Sequence, residues 1–315
     1  MSDFLQQMAA GSRERLEAAR NTRSEAALLQ AAEAMAPAPK LTTHPERFDL
    51  IAELKLRSPA VGQLKAGTED VAARVTTYAR AGAAAVSVLT EPSRFDGSMS
   101  HLEQATQALG PLNVPAMRKD FLVDPYQILE ARLAGAGGVL VIIRMLPPSG
   151  IQEMLECAER LGLFVLLEAF DEADIEIMHQ VLGPSAVSAA ATRAAPVLAG
   201  LNCRDLTSLQ IVPQRLLELA HLLPKHVPRV AESGVVTPED AGRVAAAGYE
   251  LALVGSALMQ GGDPHTLAAA MLKAGRQAHS SGQTRSSSQA HSGREGHGDR
   301  QDRNDRGSDP GSHSQ

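Results

Sequence analysis

Glu53 and Lys55 stand two residues apart at the end of a short apolar run, Leu50–Leu54, and are followed by Arg57-Ser58-Pro59. Residues two apart on a strand share a face, so both charges point one way while Ala52 and Leu54 point the other. A structural ion pair and an acid–base pair both fit this spacing. Other apolar runs end in the same manner. Lys119 follows Met117-Arg118, Glu168 closes Phe164–Leu167, Asn202 and Arg204 share a face after Val197–Leu201, and Glu232 follows the run 229–231. Two lysines, three glutamates, an asparagine and an arginine at run ends are groups suited to acid–base chemistry on a polar substrate. Scattered solvated charges account for each singly but not for all together. A second signature is made of small residues. Ser233-Gly234 and Gly255-Ser256 follow the last two runs, where backbone amides can approach an anion closely, and Ala257-Leu258-Met259 is suited to opening a helix behind them. Together they predict a phosphate on the substrate.

These groups must be positioned by the runs that carry them. Between Phe48 and Ser256 a β-branched or Leu-rich run, a polar turn and an Ala-rich helical stretch recur. Besides those already named, the runs are Ala85–Leu89, Val114–Met117, Val139–Ile143 and Leu251–Val254, eight in all. Helical stretches such as Thr68–Ala81, Pro125–Leu133, Ser149–Leu161, Glu172–Val181 and Pro238–Ala247 lie between them. Such alternation predicts parallel strands with crossover helices. Eight units fit a closed (β/α)8 TIM barrel better than an open doubly wound sheet. That fold does its chemistry at the C-terminal ends of its strands, and its recurrent phosphate site lies after strands seven and eight.

Flanking segments differ in composition. Residues 1–46 read as a helical extension: Phe4, Leu5, Met8 and Leu16 fall near helical spacing, Ser24 can cap Glu25–Ala36, and Pro37 and Pro39 end that run. The catalytic barrel is expected over 47–277. Residues 278–315 are rich in Ser, Gly, Gln, His, Asp and Arg, with five Arg against five acidic residues. Such a stretch buries too little to offset its ordering entropy, so it reads as a disordered low-complexity tail. Its histidines, His279, His291, His297 and His313, read as solvated, not as metal ligands.

The whole chain has 315 residues and a net charge of −6, from 30 Lys+Arg and 36 Asp+Glu. This mild acidity lacks the basic footprint of a nucleic-acid or anionic-membrane binder, and no apolar run approaches a membrane span. Cys157 and Cys203 make neither a disulfide framework nor a metal spacing. The start, Met1-Ser2-Asp3-Phe4, lacks a signal-peptide pattern. A cytoplasmic protein with no metal and no cofactor is expected.

The segments Ile51-Ala52-Glu53-Leu54-Lys55 with Ser58-Pro59, Val86–Glu91, Arg118-Lys119-Asp120-Phe121, and Asp124-Pro125-Tyr126-Gln127-Ile128 resemble the indole-3-glycerol-phosphate synthase family. So do Glu130-Ala131-Arg132, Asn202-x-Arg204-Asp205-Leu206, Glu232-Ser233-Gly234-Val235 and Val254–Met259. The resemblance runs from the N-terminal helices to about Met271. It implies a barrel with an N-terminal helical extension. It also implies ring closure and decarboxylation of 1-(2-carboxyphenylamino)-1-deoxyribulose 5-phosphate to indole-3-glycerol phosphate, carbon dioxide and water, on the route to tryptophan. The implied partner is this small phosphorylated aromatic substrate, with other tryptophan-pathway enzymes as candidate protein partners. By the resemblance Lys119 is the acid and Glu168 is the base; a neighbouring cation such as Lys55 is expected to lower the Lys119 pKa. Lys55, Glu53 and Asn202 position the substrate's carboxylate and hydroxyls. Phe95 and Phe121 hold the aromatic ring, with ordinary barrel packing an equal alternative for Phe121. Ser58, Arg204, Leu206 and Glu232 complete the substrate contacts, and Ser233, Gly234, Gly255 and Ser256 hold the phosphate.

Departures from the family pattern are Cys203 for the usual Asn, Ala60 for a common Ser, a longer Ala-rich connection over 187–196, and Arg144 near the mouth. Alternation puts Cys203 on the outer face, a packing position, and the long connection is expected to alter surface or assembly. For Arg144 two readings stand: a contact to the substrate carboxylate, or a salt bridge to Glu168 or Glu53. The rivals to the synthase reading are another phosphate-binding barrel isomerase and a non-catalytic paralogue that binds a phosphorylated ligand.

Overall fold

The computed structural model describes residues 3–59, 62–64, 69–183, 195–260 and 262–292, the side chains of 282–292 excepted. The eight apolar runs form eight strands: β1 (Asp49–Leu54), β2 (Ala85–Leu89), β3 (Ala116–Lys119), β4 (Gly138–Ile142), β5 (Phe164–Ala169), β6 (Val197–Asn202), β7 (Arg229–Glu232) and β8 (Leu251–Val254). All pair in parallel with their sequence neighbours, and β8 closes on β1 with Asp49 opposite Leu251, so the sheet is a closed barrel. Alternation sorts the side chains into two apolar layers. Ile51, Met117, Leu140, Leu166, Leu198, Val230 and Leu253 cluster together inside the barrel. Ala52, Leu54, Val86, Val139, Val165, Ala231 and Cys203 belong to the layer between sheet and helices. The expected outward face of Cys203 is thus observed.

The crossover helices begin where short polar side chains replace the missing intrahelical partners of the first amides. α3 (Val71–Arg80) is capped by Asp70, which accepts from the Ala73 amide at 2.9 Å. It starts three residues later than the composition of 68–81 suggests. α4 is Met99–Leu109, α5 Pro125–Leu133, α6 Pro148–Arg160, α7 Glu172–Val181, α8 Gln214–Glu218, α9 Pro238–Ala246 and α10 Ser256–Gln260. Asp124 caps α5 and Asp171 caps α7. The third strand begins at Ala116, not Val114, because the Val114 amide is spent on the Leu109 carbonyl at the end of α4.

Residues 1–46 supply α1 (Asp3–Thr22) and α2 (Glu25–Glu33), with Ser24 accepting from the Ala27 amide. α5 holds this extension to the barrel. Gln127 Nε2 donates to Ser12 Oγ at 2.9 Å, the Tyr126 hydroxyl lies 3.0 and 2.9 Å from the Ala19 and Arg23 carbonyls, and Arg132 Nη2 donates to the Met35 and Ala36 carbonyls at 2.9 and 2.6 Å. Leu16, Leu28 and Ala32 pack on Tyr126 and Leu129.

At the other end, α11 (Pro264–Ser292) continues past residue 277, where composition places the start of the tail. His279 is buried, its Nε2 3.0 Å from the Pro45 carbonyl, so it is not a solvated tail histidine. Ala60, most of the 187–196 connection, the His291 side chain, His297 and His313 lie outside the described residues. No described helix is long and apolar enough to cross a membrane.

Candidate active site

A cavity opens at the C-terminal ends of the strands, lined by every residue that the sequence assigns to catalysis, substrate contact or phosphate, Arg144 excepted. β1 brings Glu53 and Lys55 to the same side of the mouth, as their spacing predicts, with Glu53 Oε1 2.7 Å from Lys55 Nζ. The other oxygen of Glu53 faces Lys119 Nζ at 3.6 Å. One buried carboxylate therefore bridges two ammonium groups contributed by β1 and β3.

The Arg-Lys-Asp-Phe segment divides its labour by strand alternation. Arg118 points away from the cavity and donates to the Gln127 carbonyl at 2.8 Å and to Glu130 at 3.1 Å. Asp120 accepts from Thr90 Oγ1 at 2.8 Å and from the Phe121 amide at 2.8 Å, and pairs with Arg15 of α1 at 2.9 Å. These outward bonds fix the end of β3, leaving Lys119 aimed inward. Glu91 accepts from the amides of Ser93 and Arg94 at 2.8 and 2.7 Å and thereby opens the one-turn helix Pro92–Phe95, which delivers Phe95 to the cavity. Phe121 packs as one of its two expected roles requires, with its ring 5.8 Å from Phe4 and 6.0 Å from Phe95, and the ring also faces the cavity.

Across the mouth, Asn202 Nδ2 donates to Glu168 Oε1 at 2.8 Å, and Asn202 Oδ1 accepts from the Arg204 amide at 3.0 Å. Arg204 Nη1 in turn donates to the Leu209 carbonyl at 2.6 Å, and Asp205 gathers the Thr207 and Ser208 amides. The loop after β6 is thus folded onto itself. Glu232 stands opposite Asn202 in the strand register. Both of its carboxylate oxygens are buried without a donor, although Glu168 is within hydrogen-bonding reach. A bond between two carboxyl groups requires a proton on one of them. Ser233 and Gly234 follow in left-handed backbone at φ 66° and 70°, turning the chain sharply at the mouth.

Charge follows from this layout. Burial alone would raise the Glu53 pKa, but Lys55 and then Lys119 outweigh it and hold the carboxyl below its ordinary value. Burial works against the charge on Lys119, yet Glu53, Glu168 and Glu232 overcome it and raise its pKa. The expected lowering by Lys55 does not occur, because Glu53 lies between the two ammonium groups and binds both. Burial and the charge of Glu168 push Glu232 well above the usual carboxylate range.

Arg144 reaches neither Glu168 nor Glu53 nor the open cavity. Its guanidinium pairs with Asp171 at 2.7 Å and with Asp174, both near the start of α7. Sequence reading also missed Phe4 and Phe170 on the cavity wall. The available signal was scarcity. The chain has six phenylalanines, and four of them (Phe4, Phe95, Phe121 and Phe170) border this one cavity. Among the described residues, no group of three or more His, Cys, Asp or Glu side chains is arranged to hold a metal ion.

Comparison with known proteins follows the same lines. The family model described as indole-3-glycerol phosphate synthase matches residues 5–271. The protein of that name from Parafrankia sp. (strain EAN1pec) is 41% identical over 229 residues, covering 73% of this chain and 79% of the relative. That from Micrococcus luteus is 39% identical over 268 residues, covering 82% and 93%. Among solved structures, 3-hexulose-6-phosphate synthase from Salmonella typhimurium is similar in fold, with a TM-score of 0.54 at 14% identity, over 74% of this chain and 100% of that one.

Proposed function

Because the chain belongs to the indole-3-glycerol phosphate synthase family, and so is an enzyme of tryptophan biosynthesis, we propose that its barrel mouth performs the decarboxylating ring closure of 1-(2-carboxyphenylamino)-1-deoxyribulose 5-phosphate. The observation that carries the assignment of roles is the placement of Lys119 and Lys55 on the two oxygens of Glu53, facing a Glu168–Asn202 pair across one cavity.

The reaction needs a ring carbon to attack a ketone carbonyl, and negative charge builds on the ketone oxygen as it does so. A buried ammonium aimed at that oxygen stabilises the charge and donates the proton. Lys119 suits this role. Its carboxylate neighbours hold its proton firmly, and the proton moves only as a stronger base, the developing alkoxide, forms beside it. Loss of carbon dioxide then restores an electron pair to the ring. Departure of the hydroxyl as water, with loss of a proton from the adjacent methylene carbon to a base, completes the indole, whose nitrogen keeps its hydrogen. Glu168 is that base, oriented by the Asn202 amide. Lys55 and Glu53 bind the carboxylate and hydroxyls that flank the reacting carbons. Phe95 and Phe121 cover the ring, with Ser58, Leu206, Arg204 and Glu232 on the remaining walls. The turns at Ser233-Gly234 and Gly255-Ser256 receive the phosphate. The catalytic barrel is 47–277, with 1–46 as its extension. A cytoplasmic location is in keeping with two free thiols, Cys157 and Cys203.

The test is an assay of indole-3-glycerol phosphate formation with the wild type and Glu168→Gln. The wild type should turn over and the variant should lose roughly 10²–10⁴ in kcat, the usual range for one acid–base group. A fast variant with an unchanged pH profile would remove Glu168 from the role of base.

A further inference from the structure

We propose that Arg144 is a positioning residue that fixes Phe170 as the partition between the substrate cavity and a second cavity beside it, and thereby sets which ring substituents the site accepts. The inference rests on the ring-closure reading above.

Phe170 lies two residues beyond Glu168, on the same face, and is almost fully buried. It borders the substrate cavity and also a second, polar opening lined by Arg144, Asp171, Arg204 and Arg215 among others. The ring is held on two sides. Its own backbone amide donates to Asp174 Oδ2 at 2.8 Å. The Arg144 guanidinium carbon stands 4.8 Å from the ring centroid, within the range of a cation–π contact. That guanidinium is itself oriented, because Nε donates to Asp174 Oδ2 at 2.8 Å and Nη2 to Asp171 Oδ2 at 2.7 Å. Asp174 thus fastens both the backbone of Phe170 and the cation that covers its ring.

A phenyl ring beside open space keeps one rotamer only while something occupies the space or grips its face. Here the grip is the guanidinium. Without it the ring can turn toward the second cavity, and the substrate cavity widens next to Glu168. A substrate of the native size would then be held less well, whereas one with a bulkier aromatic ring would gain room. A guanidinium that merely ties the end of β4 to α7 would affect stability without changing this discrimination.

The experiment uses the full chain with Arg144→Met, Arg144→Lys, Phe170→Leu and the double variant Arg144→Met/Phe170→Leu. Steady-state kinetics are measured on the parent substrate and on an analogue carrying a methyl group on its aromatic ring, with the melting temperature of each variant alongside. For Arg144→Met we expect KM for the parent to rise about fivefold or more with kcat within about threefold, and preference for the parent over the analogue to shrink by a similar factor. Phe170→Leu should do the same, and the double variant should be no worse than Phe170→Leu alone, since two residues acting through one ring do not add. Arg144→Lys keeps the charge but not the flat stacking group and should fall between. The inference is overturned if Arg144→Met alters only the melting temperature, or if its kinetic effect multiplies with that of Phe170→Leu. Should Arg144→Met not fold, Arg144→Lys alone and combined with Phe170→Leu gives the same comparison. A wild type that does not convert the parent overturns the ring-closure reading itself. A wild type that converts it, beside Arg144 variants of unchanged KM and preference, overturns this inference alone.

Discussion

A Cβ placed on Gly255 would stand 2.2 Å from Oε1 of Glu53, the oxygen that also receives Lys55 at 2.7 Å. The absence of a side chain at this position therefore makes room for the carboxylate that bridges the two lysines. From sequence, bulk at Gly255 or Gly234 is expected to push into the space of an anion. The structure puts other groups in the way: Glu53 at Gly255, and Cys203 Sγ, 3.0 Å from a Cβ on Gly234, which also sits at φ +70°. Gly255→Ala should accordingly displace Glu53, and with it the aim of the acid Lys119 that Glu53 holds, lowering kcat by roughly 10²-fold, the low end for one acid–base group. The inhibition constant of inorganic phosphate should change much less. A variant with intact kcat and weakened phosphate inhibition would return Gly255 to the anion site alone.

Lys119→Ala should abolish turnover while leaving substrate binding within about tenfold, because the loss falls mainly on charge that exists only in the transition state. Single-turnover kinetics and equilibrium binding separate the two effects. Since its carboxylate neighbours raise the Lys119 pKa above its ordinary value, its deprotonation should not shape the rate profile below about pH 10. An alkaline limb near pH 8 that disappears in Lys119→Arg would contradict this.

The barrel and the polar strand ends were legible in the sequence because both follow from the two-residue period. Glu53, Lys55, Lys119, Asn202 and Arg204 could be assigned to one mouth by alternation and strand order alone. What period cannot give is contact between elements distant in the chain. That Glu53 separates Lys55 from Lys119 depends on the pairing of β1 with β2 and of β2 with β3, and it reverses the expected shift of Lys119. Arg144 illustrates the same limit. Its partners Asp171 and Asp174 lie about thirty residues away beside the next strand's end, and nothing local distinguishes them from Glu168. Composition misled at His279, where a polar stretch hides one side chain that reaches the Pro45 carbonyl.

That contact carries its own prediction. α11 anchors the floor of the barrel: Arg276 donates to Asp49 at 2.7 Å, and a Cβ on Gly275 would strike the Phe48 ring at 2.1 Å. Removing residues after Gln277 takes away the buried His279 and its bond, so the melting temperature should fall by about 2–4 °C, the scale for loss of about 1 kcal/mol in a domain of this size. His279→Ala should reproduce most of the fall, with kcat unchanged. Equal melting temperatures for the truncated and full chains would show that the His279 bond contributes nothing net.

Among the described residues, Glu232 buries both carboxylate oxygens with no donor facing them, and only the carboxyl of Glu168 lies within bonding reach. Its folded pKa lies well above the ordinary 4.5, chiefly through burial and then through the charge of Glu168. Between those two values the folded state binds more protons than the unfolded one, so stability falls as pH rises through that window. Above it the cost persists; below pH 4.5 it vanishes. Glu232→Gln removes the titration and offers Glu168 an amide donor in place of a carboxyl. The variant should therefore melt higher than the wild type at neutral pH, because the wild type must take up a proton to bury Glu232 beside Glu168 and the variant need not. The advantage should shrink to nothing as pH approaches 4.5. Activity should fall in the same variant, since a site can hold a destabilised group for its chemistry at the expense of its fold. Melting curves of both proteins across this pH range decide the matter. Parallel curves, with no convergence at low pH, would mean that Glu232 titrates normally and finds its partners elsewhere.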